Sequence, residues 1–370
     1  MIASFQNYNL GYRVASLALS EATLLDLALN GLDTLFVYGG KIIFLPDNKE
    51  IEASEEALQG LLQCHEYDVF EISEDGKAYR YYSNEALDNA FMVTGKCNSS
   101  CIMCPASDCV RKAGKTMSLD ALLAIIRHIP CDAEHLTITG GEPFLLGEDI
   151  FPFLNALRSK FCRTDFLLLT NGRAFGLKGY AERFYGVMPS HMVVGIPVHG
   201  YDAPSHDFVT RVPGSFHQTI TGIKNLIQLG VRVELRVVLS KVSAKYVDRI
   251  ARLIVEELPS VYCIRFIGLE MLGNAARNSN DVWIAYPEAF RLSRKAIAVL
   301  LQHGIDVGLY GFPLCAVDTW AWGICENGIT DYKVRYADEC GDCKVKDACG
   351  GVFAGSLRYA RGDFKAVTVE

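Results

Sequence analysis

The chain has 370 residues, of which 50% are hydrophobic, and a formal net charge of −7 from 36 basic and 43 acidic residues. This composition excludes a globally disordered chain, and the acidic balance argues against binding to nucleic acid or to an anionic membrane. The chain has no run of about 18 apolar residues, and its first residues lack the pattern of a secretory signal, so we expect a cytoplasmic protein without a membrane span.

Residues 1–89 predict a small α+β domain. Two hairpins are indicated by alternating apolar runs that turn at Gly39-Gly40 and at Asp75-Gly76. A short helical segment, residues 54–64, lies between the two hairpins. Nothing in this part of the chain resembles a catalytic motif.

Residues 90–312 predict a regular alternation of strands and helices. The strands are mostly apolar throughout, which is typical of a parallel sheet covered by helices. Six or seven such units fit a closed or partly closed barrel, or an open doubly wound sheet, and in both folds the chemistry lies at the carboxyl ends of the strands. The predicted strands are 90–95, 135–140, 165–172, 191–200, 231–240, 262–271 and 306–312. The predicted helices begin with one that Ser118 caps and continue with 148–161, 179–186, 214–230, 244–258 and 286–304.

A first group of cysteines follows the first of these strands, with the spacing Cys97-x3-Cys101-x2-Cys104. Clustered cysteines in a reducing compartment indicate metal ligation before disulfides. Three thiolates on one short loop can hold a cube-shaped iron–sulfur cluster and leave one iron open to a substrate or cofactor. Cys109 is a possible fourth ligand. A structural zinc loop is the alternative, but the second pair of ligands that it needs is not found nearby.

The second strand ends in the sequence TGGEP. Gly140 and Gly141 allow a backbone to approach a ligand closely, and the Glu142 carboxylate could accept a hydrogen bond from an ammonium group. By itself the motif would predict only a tight turn that Pro143 closes.

The cysteine triad and the GGEP motif together closely resemble the radical S-adenosylmethionine (radical SAM) enzymes. The resemblance covers about residues 90–312 and implies a partial (β/α)6 TIM barrel. It implies that the triad ligates three irons of a 4Fe-4S cluster, that the amino and carboxylate groups of SAM chelate the fourth iron, and that residues 140–143 bind the SAM amino group. Met103 departs from the family, which often has an aromatic residue there to pack against the adenine.

Later strand ends add weaker candidates for SAM binding. Asn171 ends the third strand, Val198 ends the fourth, where the family contacts the ribose, and Arg236 lies in the fifth. A core or ion-pair role is an equal alternative for each of them. Three histidines are candidates for proton transfer: His199, His206 and His217. A histidine on the surface, or one hydrogen-bonded inside the protein, is more typical. No catalytic side chain is identified.

A second group of cysteines lies in the C-terminal segment, residues 313–370. Four thiolates would make a closed site for either an auxiliary 4Fe-4S cluster or zinc, and spacing alone does not separate the two. The family resemblance favours iron–sulfur, and the compartment disfavours a disulfide. The predicted ligands are Cys315, Cys340, Cys343 and Cys349, with Cys325 as a competitor of Cys315.

A finer resemblance extends from the triad to about residue 355. The stretches ELRVVL, FIGLEMLGNAARN, YGFPLC, ITDYK and ECGDCKVKDACGG are similar to HxsC, the radical SAM maturase family of the His-Xaa-Ser peptide system. This resemblance implies a ribosomally made peptide substrate and a second radical SAM protein as partner. It also implies that an external electron donor drives reductive cleavage of SAM to a 5′-deoxyadenosyl radical, which abstracts hydrogen from the peptide.

Two alternatives remain open. One is a radical SAM enzyme that acts on a small molecule; the acidic charge argues against RNA. The other is a non-catalytic partner subunit, but the complete triad and the GGEP motif argue against it. We expect residues 1–89 to contact a leader peptide or the partner protein.

Overall fold

The computed structural model describes residues 1–328 and 330–368, so Ile329 of the ITDYK stretch lies outside the described residues. The chain divides into two compact units. The first comprises residues 1–94, 116–167 and 187–192, and the second comprises residues 95–115, 168–186 and 193–370. The boundaries at 89/90 and 312/313 stay predictions.

A closed barrel of seven strands forms the start of the first unit, with the strand order β1-β5-β4-β3-β2-β6-β7. Both predicted hairpins are confirmed: Tyr38 pairs with Lys41 around the Gly39-Gly40 turn, and β6 pairs antiparallel with β7. The predicted helical segment is also confirmed as α2. The strands are β1 (Ala3–Gln6), β2 (Arg13–Ala18), β3 (Thr34–Tyr38), β4 (Lys41–Leu45), β5 (Lys49–Ala53), β6 (Val69–Ile72) and β7 (Lys77–Tyr82), and the helices are α1 (Glu21–Leu29) and α2 (Glu55–Leu62).

The remainder of the chain contains an eight-stranded sheet in which the strands follow chain order. Its strands are β8 (Ala90–Thr94), β9 (His135–Gly140), β10 (Asp165–Leu169), β11 (Met192–Pro197), β12 (Arg232–Val238), β13 (Cys263–Ile267), β14 (Val307–Tyr310) and β15 (Cys325–Glu326). The described registers are parallel, for example Pro197 opposite Arg236 and Ile267 opposite Tyr310. Sequential parallel strands with intervening helices confirm the α/β class. The partial TIM barrel stays a prediction.

The helices of this α/β region begin and end close to the predicted positions. They are α3 (Asp108–Lys112), α4 (Leu119–His128), α5 (Ile150–Lys160), α6 (Tyr180–Val187), α7 (Ala203–Thr210), α8 (Ser215–Gln228), α9 (Val247–Glu257), α10 (Gly273–Arg277), α11 (Ser279–Val282) and α12 (Tyr286–Gln302). Ser118 caps α4 as predicted, because its hydroxyl accepts the Ala121 N–H at 3.2 Å. The sequence analysis missed α7, although Asp202 and Ser205 form a capping box at its start.

The two faces of the sheet differ in polarity, as β12 illustrates within the second unit. Val233, Leu235 and Val237 are fully buried, and α8 packs against this strand. Glu234 and Arg236 alternate with them on the opposite face, where their side chains form an ion pair of 2.5 Å. β12 therefore has one apolar face and one charged face, unlike the mostly apolar strands that the sequence analysis predicts for this region.

The C-terminal segment is built from short turns and one small antiparallel pair, β16 (Val334–Arg335) with β17 (Val352–Phe353). Its 3-10 turns are Leu314–Ala316, Thr319–Ile324, Asp331–Lys333, Asp338–Asp342 and Lys346–Ala348. Among the described residues, every helix is too short or too polar to cross a lipid bilayer.

Candidate functional site

The first cysteine group lies on the loop of residues 95–115, which we call the triad loop. Two glycines close its base. The Gly95 N–H donates to the Lys115 carbonyl at 2.9 Å, and a Cβ on Gly114 would lie 2.4 Å from the carbonyl carbon of Gly95. Side chains at these glycines would push the two ends of the loop apart.

The three predicted ligands on this loop are half-buried and close together. Burial, together with a smaller contribution from the neighbouring Cys104 and Cys97, raises the pKa of Cys101 to about 12. Repulsion between adjacent thiolates explains this contribution, and a bound metal would relieve it by replacing the protons. Cys109, the possible fourth ligand, is exposed on α3.

Charged and polar side chains that the sequence analysis missed hold the backbone of the triad loop. The buried Arg111 donates to the Ser99 carbonyl at 2.7 Å and pairs with Asp108. The end of α7 contributes two further bonds, because the Thr210 and Val209 carbonyls accept the N–H groups of Ser100 at 2.9 Å and Ile102 at 3.0 Å.

Asn171 contacts the same loop. Its amide donates to the Asn98 side chain at 2.7 Å, and its side-chain oxygen accepts the Arg173 N–H at 3.0 Å. Arg173 in turn donates to the Asn98 carbonyl at 2.9 Å. The end of β10 therefore braces the triad loop, a role that the sequence analysis did not foresee for Asn171.

The GGEP motif lies in the first unit and turns sharply at the end of β9. A Cβ on Gly140 would lie 2.4 Å from the Thr94 carbonyl oxygen, and the Gly141 N–H donates to that oxygen at 2.7 Å. The Glu142 side chain is buried and accepts the Phe144 N–H at 3.2 Å. It thereby caps the 3-10 turn Pro143–Asp149.

Among the other strand-end candidates and the histidines near them, Val198, His199 and His206 are buried, whereas Arg236 is partly exposed. The Val198 N–H donates to the Arg236 carbonyl at 3.0 Å, and Val198 is fully buried. Burial lowers the pKa of His199 to about 3 and that of His206 to about 4. Both imidazoles are therefore neutral near pH 7, whereas His217 is exposed.

The second cysteine group surrounds one small pocket. The four predicted ligands line it together; they are Cys315, Cys340, Cys343 and Cys349. Three cations also line this pocket, namely Arg335, Lys346 and Lys365. Cys325 is not among the lining residues, and its thiol donates to the Ala321 carbonyl at 3.5 Å. Cys315 therefore lines the pocket with the other three, whereas Cys325 lies outside the lining although Cys349 contributes to raising its pKa.

Backbone N–H groups point at the sulfurs of this second group. The Leu314 N–H donates to the Cys349 Sγ at 3.4 Å, and the Val367 N–H donates to the Cys343 Sγ at 3.4 Å. Burial raises the pKa of Cys315, and a backbone hydrogen bond from Lys365 opposes that shift. Such N–H to sulfur bonds stabilise thiolate ligands.

Both groups offer thiols only, which is the donor chemistry of iron–sulfur clusters, where each iron takes one cysteine. The thiols of both groups therefore fit an iron–sulfur cluster in donor type.

The sequence of residues 91–254 matches the model of the Radical SAM superfamily. The AdoMet-dependent heme synthase of Nitratidesulfovibrio vulgaris (strain Hildenborough) is 28% identical over 153 residues, which are 41% of this chain and 40% of that protein. The matched part of the chain thus spans well under two thirds of this relative.

Solved structures of Streptococcus suis SuiB are similar in fold. The crystal structure bound to S-adenosylmethionine matches with a TM-score of 0.50 and 15% identity over 61% of this chain and 50% of SuiB. The structure bound to the precursor peptide SuiA matches with a TM-score of 0.49 and 14% identity over 62% and 49% of the two chains. At this level of identity the similarity concerns the fold alone.

Proposed function

We propose that this protein is a radical SAM peptide maturase, because residues 91–254 match the model of the Radical SAM superfamily. The observation that carries the proposal is the triad of half-buried thiols on a loop that directly follows the first strand of the matched segment. Cys97, Cys101 and Cys104 would hold a 4Fe-4S cluster with one open iron. When bound, the cluster supplies the electron that cleaves SAM and so produces the radical that abstracts hydrogen from the substrate.

The residues around the triad have roles that follow from their environment. Arg111 and the end of α7 fix the loop backbone, so the three thiols are held before a cluster binds. Ile102 and Met103 lie in an apolar cluster with Leu269 and Met271, which excludes water from one side of the loop. In this proposal, the GGEP turn, Asn171, Val198 and Arg236 bind SAM at strand ends of a partial TIM barrel.

We further propose an auxiliary 4Fe-4S cluster at the C-terminal pocket. Its support is that four thiols line one pocket and that backbone N–H groups donate to two of the sulfurs. The three cations around the pocket would partly neutralise the negative charge of four thiolates. Zinc bound by four cysteines is the alternative occupant.

The substrate that we propose is a ribosomally made peptide, on the basis of the HxsC-like stretches that end in the C-terminal cysteines. A second radical SAM protein would be its partner, an external carrier would supply the electron, and residues 1–89 would contact the leader peptide or the partner. We place the protein in the cytoplasm, where thiols stay reduced.

A small-molecule substrate is the second candidate. The relative that matches 41% of this chain is named an AdoMet-dependent heme synthase, and heme is a small molecule rather than a peptide. Tight binding of a peptide to the purified chain would favour the first candidate.

Cleavage of SAM under anaerobic conditions tests the proposal. The full chain is reconstituted with iron and sulfide, dithionite and SAM are added, and 5′-deoxyadenosine is quantified. We expect the wild type to form it and a Cys97, Cys101 and Cys104 triple alanine variant to form none. Iron is counted in both proteins.

The outcomes separate the alternatives. Iron without deoxyadenosine in the wild type, even after the candidate partner is added, would indicate a non-catalytic subunit. A wild-type protein that binds zinc and no iron would refute the radical SAM proposal. Residual iron in the triple variant would assign the second cluster to the C-terminal pocket.

A further inference from the structure

We propose that Asn274 and Asn278 are positioning residues that set the conformation of the triad loop. They lie at the two ends of the short helix α10, about 170 residues from the cysteines along the chain. The inference rests on the proposed function only for the identity of the cluster that the loop would hold.

Asn274 bonds to the loop through both its backbone and its side chain. Its N–H donates to the Cys104 carbonyl at 2.9 Å, and its Nδ2 donates to the Cys101 carbonyl at 3.2 Å. The same Nδ2 donates to the Asp108 carboxylate at 3.0 Å, and the side-chain oxygen accepts the Asp108 N–H at 3.3 Å. The carboxamide of this buried residue therefore connects the Cys101 carbonyl to the start of α3, while its backbone N–H holds the Cys104 carbonyl.

Asn278 and Gly273 extend the contact along the loop. The Asn278 Nδ2 donates to the Ile102 carbonyl at 2.8 Å. Gly273 has a φ of 49°, and a Cβ there would lie 2.3 Å from the Pro105 carbonyl oxygen. Only glycine permits this approach, so α10 lies directly against the backbone between Cys101 and Pro105.

The segment that leads into α10 is itself fixed by the C-terminal part of the chain. The fully buried Ser356 accepts the Met271 N–H at 3.0 Å and donates to the Leu269 carbonyl at 2.6 Å. Leu269, Met271 and Ala275 pack with Ile102 and Met103 in one apolar cluster. The asparagines are therefore presented from a rigid base, as a positioning role requires.

Replacing either asparagine by aspartate keeps the shape of the side chain but removes its N–H donor. Asn274→Asp loses the bond to the Cys101 carbonyl and places a negative charge against the Asp108 carboxylate. Asn278→Asp leaves the Ile102 carbonyl without its donor. Asn280 is an exposed residue on α11 and provides a matched control for the same chemical change.

The test measures how fast iodoacetamide alkylates each cysteine in the full-length, metal-free chain, by peptide mass spectrometry. We expect Asn274→Asp to accelerate alkylation of the triad about tenfold, which corresponds to about 1.4 kcal/mol. Asn278→Asp should accelerate it about threefold, and Asn280→Asp should have no effect. The buried Cys64 and Cys263, which belong to neither cysteine group, serve as an internal reference for unfolding, because a general loss of structure would accelerate alkylation of both.

The same variants are then reconstituted with iron and sulfide and exposed to an iron chelator together with iodoacetamide. Faster alkylation of the triad in Asn274→Asp and Asn278→Asp would show that the loop holds its cluster less firmly. Unchanged alkylation rates in the metal-free variants would overturn the inference. A wild-type triad that takes up no iron would refute the proposed function, while the metal-free comparison would still decide the role of the asparagines.

Discussion

The two cysteine groups of this protein are held in different ways. The triad loop is bonded mainly through its carbonyl oxygens, which accept hydrogen bonds from Arg111, Asn274 and Asn278. The C-terminal pocket is bonded at the sulfur atoms, which accept backbone N–H groups from Leu314 and Val367. The conformation of the triad loop is therefore set by the surrounding protein, whereas the hydrogen bonds of the C-terminal pocket form to the sulfur atoms of the predicted ligands themselves.

This difference predicts how far each cysteine site stays ordered when its metal is removed. Hydrogen bonds to a loop carbonyl do not need an occupied site, so the triad loop should keep its shape without a cluster. Short 3-10 turns have little stability of their own, and a closed site of four cysteines commonly folds with its metal.

The largest expected effect concerns the fourth ligand of the C-terminal pocket. Cys315→Ala should lower the iron content of the reconstituted chain by about four atoms per chain, because a closed cluster loses one of its four ligands. Cys325→Ala should leave the iron content unchanged, since Cys325 does not line the pocket. The iron content of both reconstituted variants is measured. Loss of iron in Cys325→Ala but not in Cys315→Ala would show that Cys325 is the fourth ligand.

Removal of iron should affect the two groups unequally. After anaerobic chelation, we expect hydrogen–deuterium exchange at the Leu314 and Val367 amides to accelerate about a hundredfold, because their bonds to sulfur depend on an ordered pocket. The Ile102 amide, which is bonded to the Val209 carbonyl, should change by less than about tenfold. Equal acceleration of exchange at the Ile102 amide and at the two pocket amides would show that both cysteine groups depend on iron for their structure.

Acid should weaken the support of the triad loop by a smaller amount. Burial lowers the pKa of His206 on α7 from 6.5 in the unfolded chain to about 4, so below pH 6.5 the unfolded chain binds a proton that the folded one does not. Stability is therefore lost as the pH falls from 6.5 towards 4, by about 2 kcal/mol at pH 5 for this one histidine.

Urea unfolding of the wild type and of His206→Gln at pH 7.5 and pH 5 measures this loss. The variant should lose about 2 kcal/mol less than the wild type between the two pH values, although it is less stable at pH 7.5 because the bond from the His199 N–H is altered. The exposed His217→Gln provides the control. The same pH dependence in all three proteins would show that His206 is not the titrating group.

Local patterns predicted most of the regular elements. Ser118 caps α4, the Gly39-Gly40 turn joins β3 to β4, and the predicted strand at 135–140 coincides with β9. The helices α10 and α11 were missed because each has five residues or fewer, which is too short for an apolar period to be recognised. The capping box at Asp202 was a usable signal for α7 that the periodicity analysis did not include.

The α/β class and the two cysteine groups can be read from the linear chain, because helix and strand periods, caps and cysteine spacings are properties of neighbouring residues. The partners that support those cysteines emerge only from the fold. The bond from Asn274 to Cys101 joins residues 173 positions apart, and the Leu314 N–H meets the sulfur of Cys349, 35 positions away. Contacts of this kind depend on how strands and helices pack, so no spacing in the linear chain encodes them.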